Sequence, residues 1–273
     1  MCDTCGCNVT PGNRHLVESG GALEKTAAGS ESVAVLKGLL DANDHQAAHN
    51  REHFDRRGIL AVNLMSSPGA GKTALLEATA QALGNDLRMA VIEGDLETEN
   101  DAERIRAQGI AAVQIATGSA CHLDAHMVHG ALHDLELDGI DVVFIENVGN
   151  LVCPASFDLG QHLNVTLLSV PEGDDKPAKY PVMFRAADLL LLTKIDLAPI
   201  LTDFDVERAT RAFRQLANPA PVMHIAARSG DGMQEWLGWL SRELAAQRDR
   251  LSAGASLRPA VQPDGAHLHG AQS

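Results

Sequence analysis

A chain of 273 residues with 45% apolar content has material for one large α/β domain with appendages, and aromatics at only 3% point to an aliphatic core. The formal net charge of -14 argues against general affinity for nucleic acid, because capture of a phosphate backbone by surface charge needs lysine and arginine in excess. The longest apolar runs, at 59–65 and 189–192, are far short of the roughly 18 residues that span a bilayer, and the N-terminus has no basic-then-apolar signal pattern. A soluble, cytoplasmic protein without membrane association is expected.

Of the five cysteines, Cys2, Cys5 and Cys7 crowd the start of the chain, while Cys121 and Cys153 lie far downstream. An odd set of thiols packed this closely fits metal ligation better than a disulfide framework in a cytosolic chain. The run Cys2-Asp3-Thr4-Cys5-Gly6-Cys7 offers soft sulfur donors within one turn of chain, and backbone amides with the N-terminal amine can complete a square-planar site that suits nickel. A redox Cys-x-x-Cys or a reactive tail is the competing reading. Residues 8–30 show no sustained periodicity and read as a tether, so 1–30 is expected to be a flexible metal-binding arm ahead of a domain spanning 31–251.

A helical pattern runs over 31–57, with Val33, Leu36, Leu39 and Leu40 as its apolar stripe. Within it His45, His49 and His53 recur every four residues and share one helical face, which fits either a solvated polar surface or a weak secondary metal site.

The stretch 59–76, ILAVNLMSSPGAGKTALL, reads as strand, phosphate-binding loop and helix. Small residues at Gly69, Ala70 and Gly71 allow successive backbone N–H groups to turn inward on phosphate oxygens at a helix N-terminus. Lys72 would reach the β- and γ-phosphates and the Thr73 hydroxyl would hold magnesium, so the expected contact set runs from Pro68 to Ala74. Ser66 stands where the G-x-x-x-x-G-K-[ST] pattern has its first glycine.

A second strand over 87–93 delivers Asp95 to the ligand side of an open α/β sheet, where it can face magnesium or the attacking water; a helix cap is the competing role. A short strand at 112–116 is followed by residues leading into a helix to about 137, with Cys121-His122 as adjacent thiol and imidazole ligands at its start. His122, His126, His129 and His133 then share one helical face, mostly as surface or packing histidines. The strand at 140–146 ends in Glu146-Asn147-Val148-Gly149, where Glu146 and Gly149 would meet the γ-phosphate side, and Cys153 follows directly.

Strands at 163–170, 187–193 and 221–226 complete the series. The second ends in Thr193-Lys194-Ile195-Asp196. There the Asp196 carboxylate can accept the N1–H and N2–H₂ donors of guanine, which adenine cannot supply. Thr193 replaces the Asn of the usual Asn-Lys-x-Asp, and Ala227-Arg228 would complete the base pocket. A last helix runs to about 251, and residues 252–273 read as a disordered tail.

The words SSPGAGKT, GDLETENDAERI, SACHLDAHM, ENVGNLVCP and PEGDDKPAKYP together resemble the HypB family, the SIMIBI-class P-loop GTPases that help insert nickel into hydrogenase. The resemblance covers roughly residues 31–250 and the N-terminal Cys motif; Ser119 departs from the Gly or Thr expected there. It implies a mostly parallel sheet of about seven strands flanked by helices. It also implies phosphate binding by Gly69, Gly71, Lys72 and Thr73 and guanine reading by Lys194 and Asp196; the positions of the residues themselves give the expected catalytic set as Lys72, Asp95 and Glu146, with magnesium at Thr73 and Asp95. Nickel would bind at Cys2, Cys5 and Cys7, and a second nickel or zinc site would form from Cys121, His122 and Cys153 at a GTP-dependent homodimer interface. The implied partners are GTP and GDP, the hydrogenase large subunit and a HypA-like nickel-delivery protein. A nickel-buffering protein with a regulatory nucleotide site, or a GTPase chaperone for another metalloenzyme, stays open beside this reading.

Overall fold

A computed structural model describes residues 32–84, 86–95, 100–118 and 120–261. Cys2, Cys5, Cys7 and Ser119 lie outside the described residues. The described chain alternates helix and strand almost throughout: α1 (Ser32–Asp55), β1 (Leu60–Met65), α2 (Lys72–Leu83), β2 (Met89–Asp95), α3 (Asn100–Arg106), β3 (Ala111–Ala116), α4 (Ala125–Asp134) and β4 (Val142–Glu146). It continues as β5 (Leu163–Ser169), the short helices α5 (Lys176–Lys179) and α6 (Pro181–Arg185), β6 (Leu189–Thr193), α7 (Val206–Gln215), β7 (Val222–Ile225) and α8 (Met233–Ser252).

The seven strands form one sheet in the order β3-β2-β4-β1-β5-β6-β7, and every pairing is parallel. Helices carry most of the returns between strands and cover the sheet's faces, which explains why β1, β4, β5 and β6 are buried along their whole length and read as apolar runs, not as alternating strands. Their side chains still alternate in direction. Leu60, Val62, Leu64, Val142 and Phe144 pack with Leu75, Leu76, Trp236 and Leu240 from α2 and α8. Ile59, Ala61, Val143 and Ile145 pack on the other face with Phe54, Val128 and Leu132 from α1 and α4. A third cluster joins Leu190 and Leu192 of β6 to Phe184 and Phe213.

Helix α1 is fastened to that second face by polar contacts as well as by Phe54. The buried Asn50 amide donates to the carbonyls of Ala125 (2.7 Å) and Leu159 (3.1 Å), and Arg51 pairs with Asp158 at 2.8 Å. The turn it grips needs glycine: Gly160 has φ +89, and a Cβ there would lie 2.6 Å from the Ala47 carbonyl oxygen. At the far end, Leu257 is buried and its N–H donates to Gln247 at 2.8 Å, so residues just beyond α8 lie against the domain. Among the described residues, no helix is long and apolar enough to cross a membrane.

Candidate nucleotide cavity and cysteine–histidine cluster

The carboxyl ends of the strands open onto a cavity of about 690 Å³. In a parallel sheet this edge is where loops converge and where helix N-termini point, so it is the expected ligand face. The loop after β1 enters α2 through Gly69 (φ +74) and Gly71 (φ +99), both left-handed, while Ala70 between them is buried. A side chain at either glycine would strain the backbone that turns the N–H groups inward. All the residues expected to bind nucleotide line this cavity: Pro68 to Ala74, Gly149, Lys194, Asp196, Ala227 and Arg228.

Ser66 has a definite role at its divergent position: its hydroxyl accepts from Lys72 Nζ at 3.1 Å, holding the ammonium at the mouth of the loop. Thr73 Oγ1 donates to Glu146 Oε1 at 3.0 Å, and Lys72 Nζ lies 4.0 Å from the same oxygen. Glu146, at the end of β4, is fully buried. Burial pushes its carboxyl up to about 7, with Lys72 and Thr73 pulling the other way. Its other oxygen, Oε2, has no hydrogen-bond partner among the described residues. Asp95 is the last residue of β2, so its backbone reaches the same sheet edge.

Thr193, the second divergent position, also points into the loop: its hydroxyl donates to the Ala70 carbonyl at 2.7 Å. Lys194 is held left-handed (φ 55), and its ammonium donates to the Gly69 carbonyl at 2.7 Å. Base-side and phosphate-side elements are thus tied together. Glu172, in the charged loop after β5, adds a further tie by accepting from the Ser67 hydroxyl and, at 2.7 Å, from the Ser169 N–H.

Sequence reasoning missed Glu93, Asp101 and Arg104, which also line the cavity. Arg104 is bound by Glu77 and Asp101, each at 2.7 Å, and its three-residue spacing from Asp101 on α3 was the available signal.

Gly149 brings the loop after β4 directly against the phosphate loop. A Cβ there would lie 2.8 Å from both N and Cα of Pro68. The chain on either side is stitched in place: Asn147 N–H donates to the Leu64 carbonyl at 3.0 Å, and Asn150 N–H to the Ser66 carbonyl at 2.8 Å. The Asn150 side chain then donates to the Cys121 carbonyl at 3.1 Å.

Cys121 and Cys153 are reduced, with their sulfurs 3.1 Å apart, and His122 Nδ1 is 3.6 Å from Cys121 Sγ. The ligand atoms of Cys121, His122 and Cys153 all lie within 4.8 Å of one another. His122 stacks on Phe157 at 3.9 Å, and burial lowers its pKa, which keeps the imidazole neutral and able to ligate. Two expectations are corrected here. Cys121 and His122 do not begin the helix but precede it, because Asp124 caps α4 by accepting from Met127 N–H at 2.8 Å. His122 accordingly leaves the face it was expected to share with His126, His129 and His133.

An all-parallel sheet with a glycine-bearing loop between its central strand and a helix, and a large cavity at the carboxyl edge, defines a P-loop nucleotide-binding protein. Residues 60–224 match the family described as "CobW/HypB/UreG, nucleotide-binding domain". The chain is 53% identical over 226 residues to a hydrogenase maturation factor HypB of Azotobacter chroococcum mcd 1, a match covering 82% of this chain and 73% of that one. It is 52% identical over 208 residues to the HypB of Escherichia coli (strain K12), covering 76% and 71%. The crystal structure of HypB from Helicobacter pylori in complex with nickel superposes with a TM-score of 0.72 at 41% identity, covering 75% of this chain and 96% of that one. The chain belongs to the HypB family.

Proposed function

We propose that this protein is a magnesium-dependent GTPase, converting GTP and water to GDP and phosphate, that delivers nickel to the large subunit of a [NiFe]-hydrogenase during maturation. The observation that carries this reading is the continuous segment 146–153. It begins with the Glu146 carboxylate bonded to Thr73, rests Gly149 on Pro68, and ends at Cys153 beside Cys121. Nickel in the superposed Helicobacter pylori structure, and the maturation role named for the relatives, support nickel as cargo and a hydrogenase as client.

In this reading Lys72 stabilises charge that develops on the transferred phosphoryl group. Glu146, with its carboxyl near 7, orients or deprotonates the attacking water. Asp196 and Lys194 hold guanine. Thr73 and Asp95 would hold magnesium; the hard oxygen donors at this edge and the orphaned Oε2 of Glu146 fit such an ion. When bound with the nucleotide, magnesium supplies neutralisation of charge on the β- and γ-phosphates.

The thiols and imidazole of Cys121, His122 and Cys153 suit zinc in a tetrahedral set or nickel in a planar one, shared across a GTP-promoted homodimer. The arm bearing Cys2, Cys5 and Cys7 would hold nickel ahead of the domain, with a HypA-like protein as second carrier in the cytoplasm. Metal titration of wild type, Cys121→Ala and Cys153→Ala in GDP and in a non-hydrolysable GTP analogue tests the coupling. A nucleotide-dependent shift of about 1–3 kcal/mol in metal affinity is expected for the wild type and should vanish in both variants. Affinity indifferent to nucleotide and to both substitutions would overturn the reading.

A further inference from the structure

We infer a further transition-metal site, built only from imidazoles, between α1 and α4: His49, His53 and His129, with His133 at its rim. It lies apart from the cysteine–histidine cluster and does not depend on the nucleotide site.

Three observations carry it. The ligand atoms of His49, His53 and His129 lie within 4.8 Å of one another, although they come from two helices far apart in sequence. His49 and His53 are one turn apart on α1, with ring centroids 4.7 Å apart, and the His129 ring lies 5.0 Å from the first and 5.7 Å from the second. His133 Nε2 is 3.2 Å from His129 Nε2. Two nitrogens each about 2.1 Å from a shared ion lie about 3.0–3.4 Å apart when their bonds open between a right angle and the tetrahedral value.

The surroundings also prepare His129. The Asn50 side chain spends both N–H donors on the Ala125 and Leu159 carbonyls, which turns its oxygen toward His129 Nδ1 at 3.1 Å. That oxygen can only accept, so Nδ1 carries the proton and Nε2 presents its lone pair to the cluster. A buried amide that fixes tautomer and ring direction is the support metal-bound histidines need. Burial and the neighbouring imidazoles lower the pKa of His129, and burial, His49 and the charges of Arg57 and Arg56 lower that of His53, all favouring the neutral, ligating form. Each of these arginines also faces a carboxylate, Arg56 pairing with Glu52 at 2.7 Å and Arg57 reaching Asp138 at 4.0 Å. With neutral nitrogen donors and no carboxylate among the ligands, the site would take nickel, zinc or copper, not magnesium or calcium.

The test uses the untagged full-length protein with its cysteines alkylated by N-ethylmaleimide, so that sulfur sites are silenced. Equilibrium dialysis against nickel and zinc should leave one bound equivalent, and copper should show nitrogen hyperfine coupling in its paramagnetic resonance spectrum. His53→Gln/His129→Gln should lose that equivalent. Because both of its positions are exposed, His49→Gln/His133→Gln serves as the variant safe for folding, and it should weaken binding by more than about tenfold, the scale on which even outer-shell partners act. Retained thermal melts in the absence of metal show that the fold survives. Alkylated wild type that binds no metal, or binding unchanged in the exposed pair, would overturn the site.

Discussion

Ser66 and Thr193 are the two places where the chain departs from the usual nucleotide-binding words, and in both the substituted hydroxyl bonds within the loop system. Ser66 accepts from Lys72, and Thr193 donates to Ala70. Lys72, Lys194 and Asp196, the residues proposed to meet the nucleotide, keep the usual identities, so base selection should be intact. Asp196→Ala is expected to reduce the preference for GTP over ATP by roughly ten- to hundredfold, the worth of a hydrogen bond to a charged group, read by competition binding. Glu146 makes a different kind of prediction. Its folded-state pKa, about 7 from an ordinary 4.5, is raised, so the fold binds this proton more tightly than the unfolded chain does. The stabilisation is complete below the unfolded value and is lost as pH rises through the folded one. Nucleotide-free, magnesium-free protein should therefore lose up to about 3 kcal/mol between about pH 4.5 and 7 from this group, and Glu146→Gln should flatten that part of the melting profile.

At the scale of elements, the contact between the loop after β4 and the phosphate loop depends on an absent side chain. Gly149→Ala would drive a methyl into the Pro68 backbone, with no flexible end to yield, and is expected to cost about 1–3 kcal/mol and to depress hydrolysis sharply. Gly130→Ala, in α4 with open space around its Cβ, should instead stabilise by up to about 1 kcal/mol. Paired thermal melts of the two variants check both. The strands and the phosphate loop were legible in the sequence because buried parallel strands are continuous apolar runs and glycine spacing is local. What was not legible is how loops meet. Nothing local says that Gly149 sits on Pro68 or that Asp124 delays α4 past His122, and the Asp101–Arg104 spacing gives a pair but not the cavity it lines. His49 and His53 were visible as one helical face, but their meeting with His129 follows from α1 packing against α4.

For the whole molecule, the proposed function puts the cavity behind the phosphate loop and the Cys121–His122–Cys153 cluster at separate addresses joined by the segment 146–153. Lys72→Ala is expected to abolish hydrolysis while leaving the fold intact and the nickel binding proposed for Cys2, Cys5 and Cys7 in place. Turnover and metal analysis on the same sample would show it; joint loss of both would mean one shared site. Conversely, the Asn150 bridge from Ser66 to Cys121 predicts that a shift of the phosphate loop is felt at the sulfur pair without any movement of the sheet.

The closeness of Cys121 and Cys153 has a practical side. Sulfurs 3.1 Å apart are already in contact, so an oxidant that removes two electrons and two protons from the pair would need only a small displacement to join them. Metal-free protein stored in air would then accumulate a covalent staple between Cys121 and the end of the segment 146–153. Such material would look well folded and still bind nucleotide, yet score as inert toward nickel and zinc. Preparations of the apoprotein should be kept reduced, and their thiols counted, before any low metal stoichiometry is ascribed to sequence.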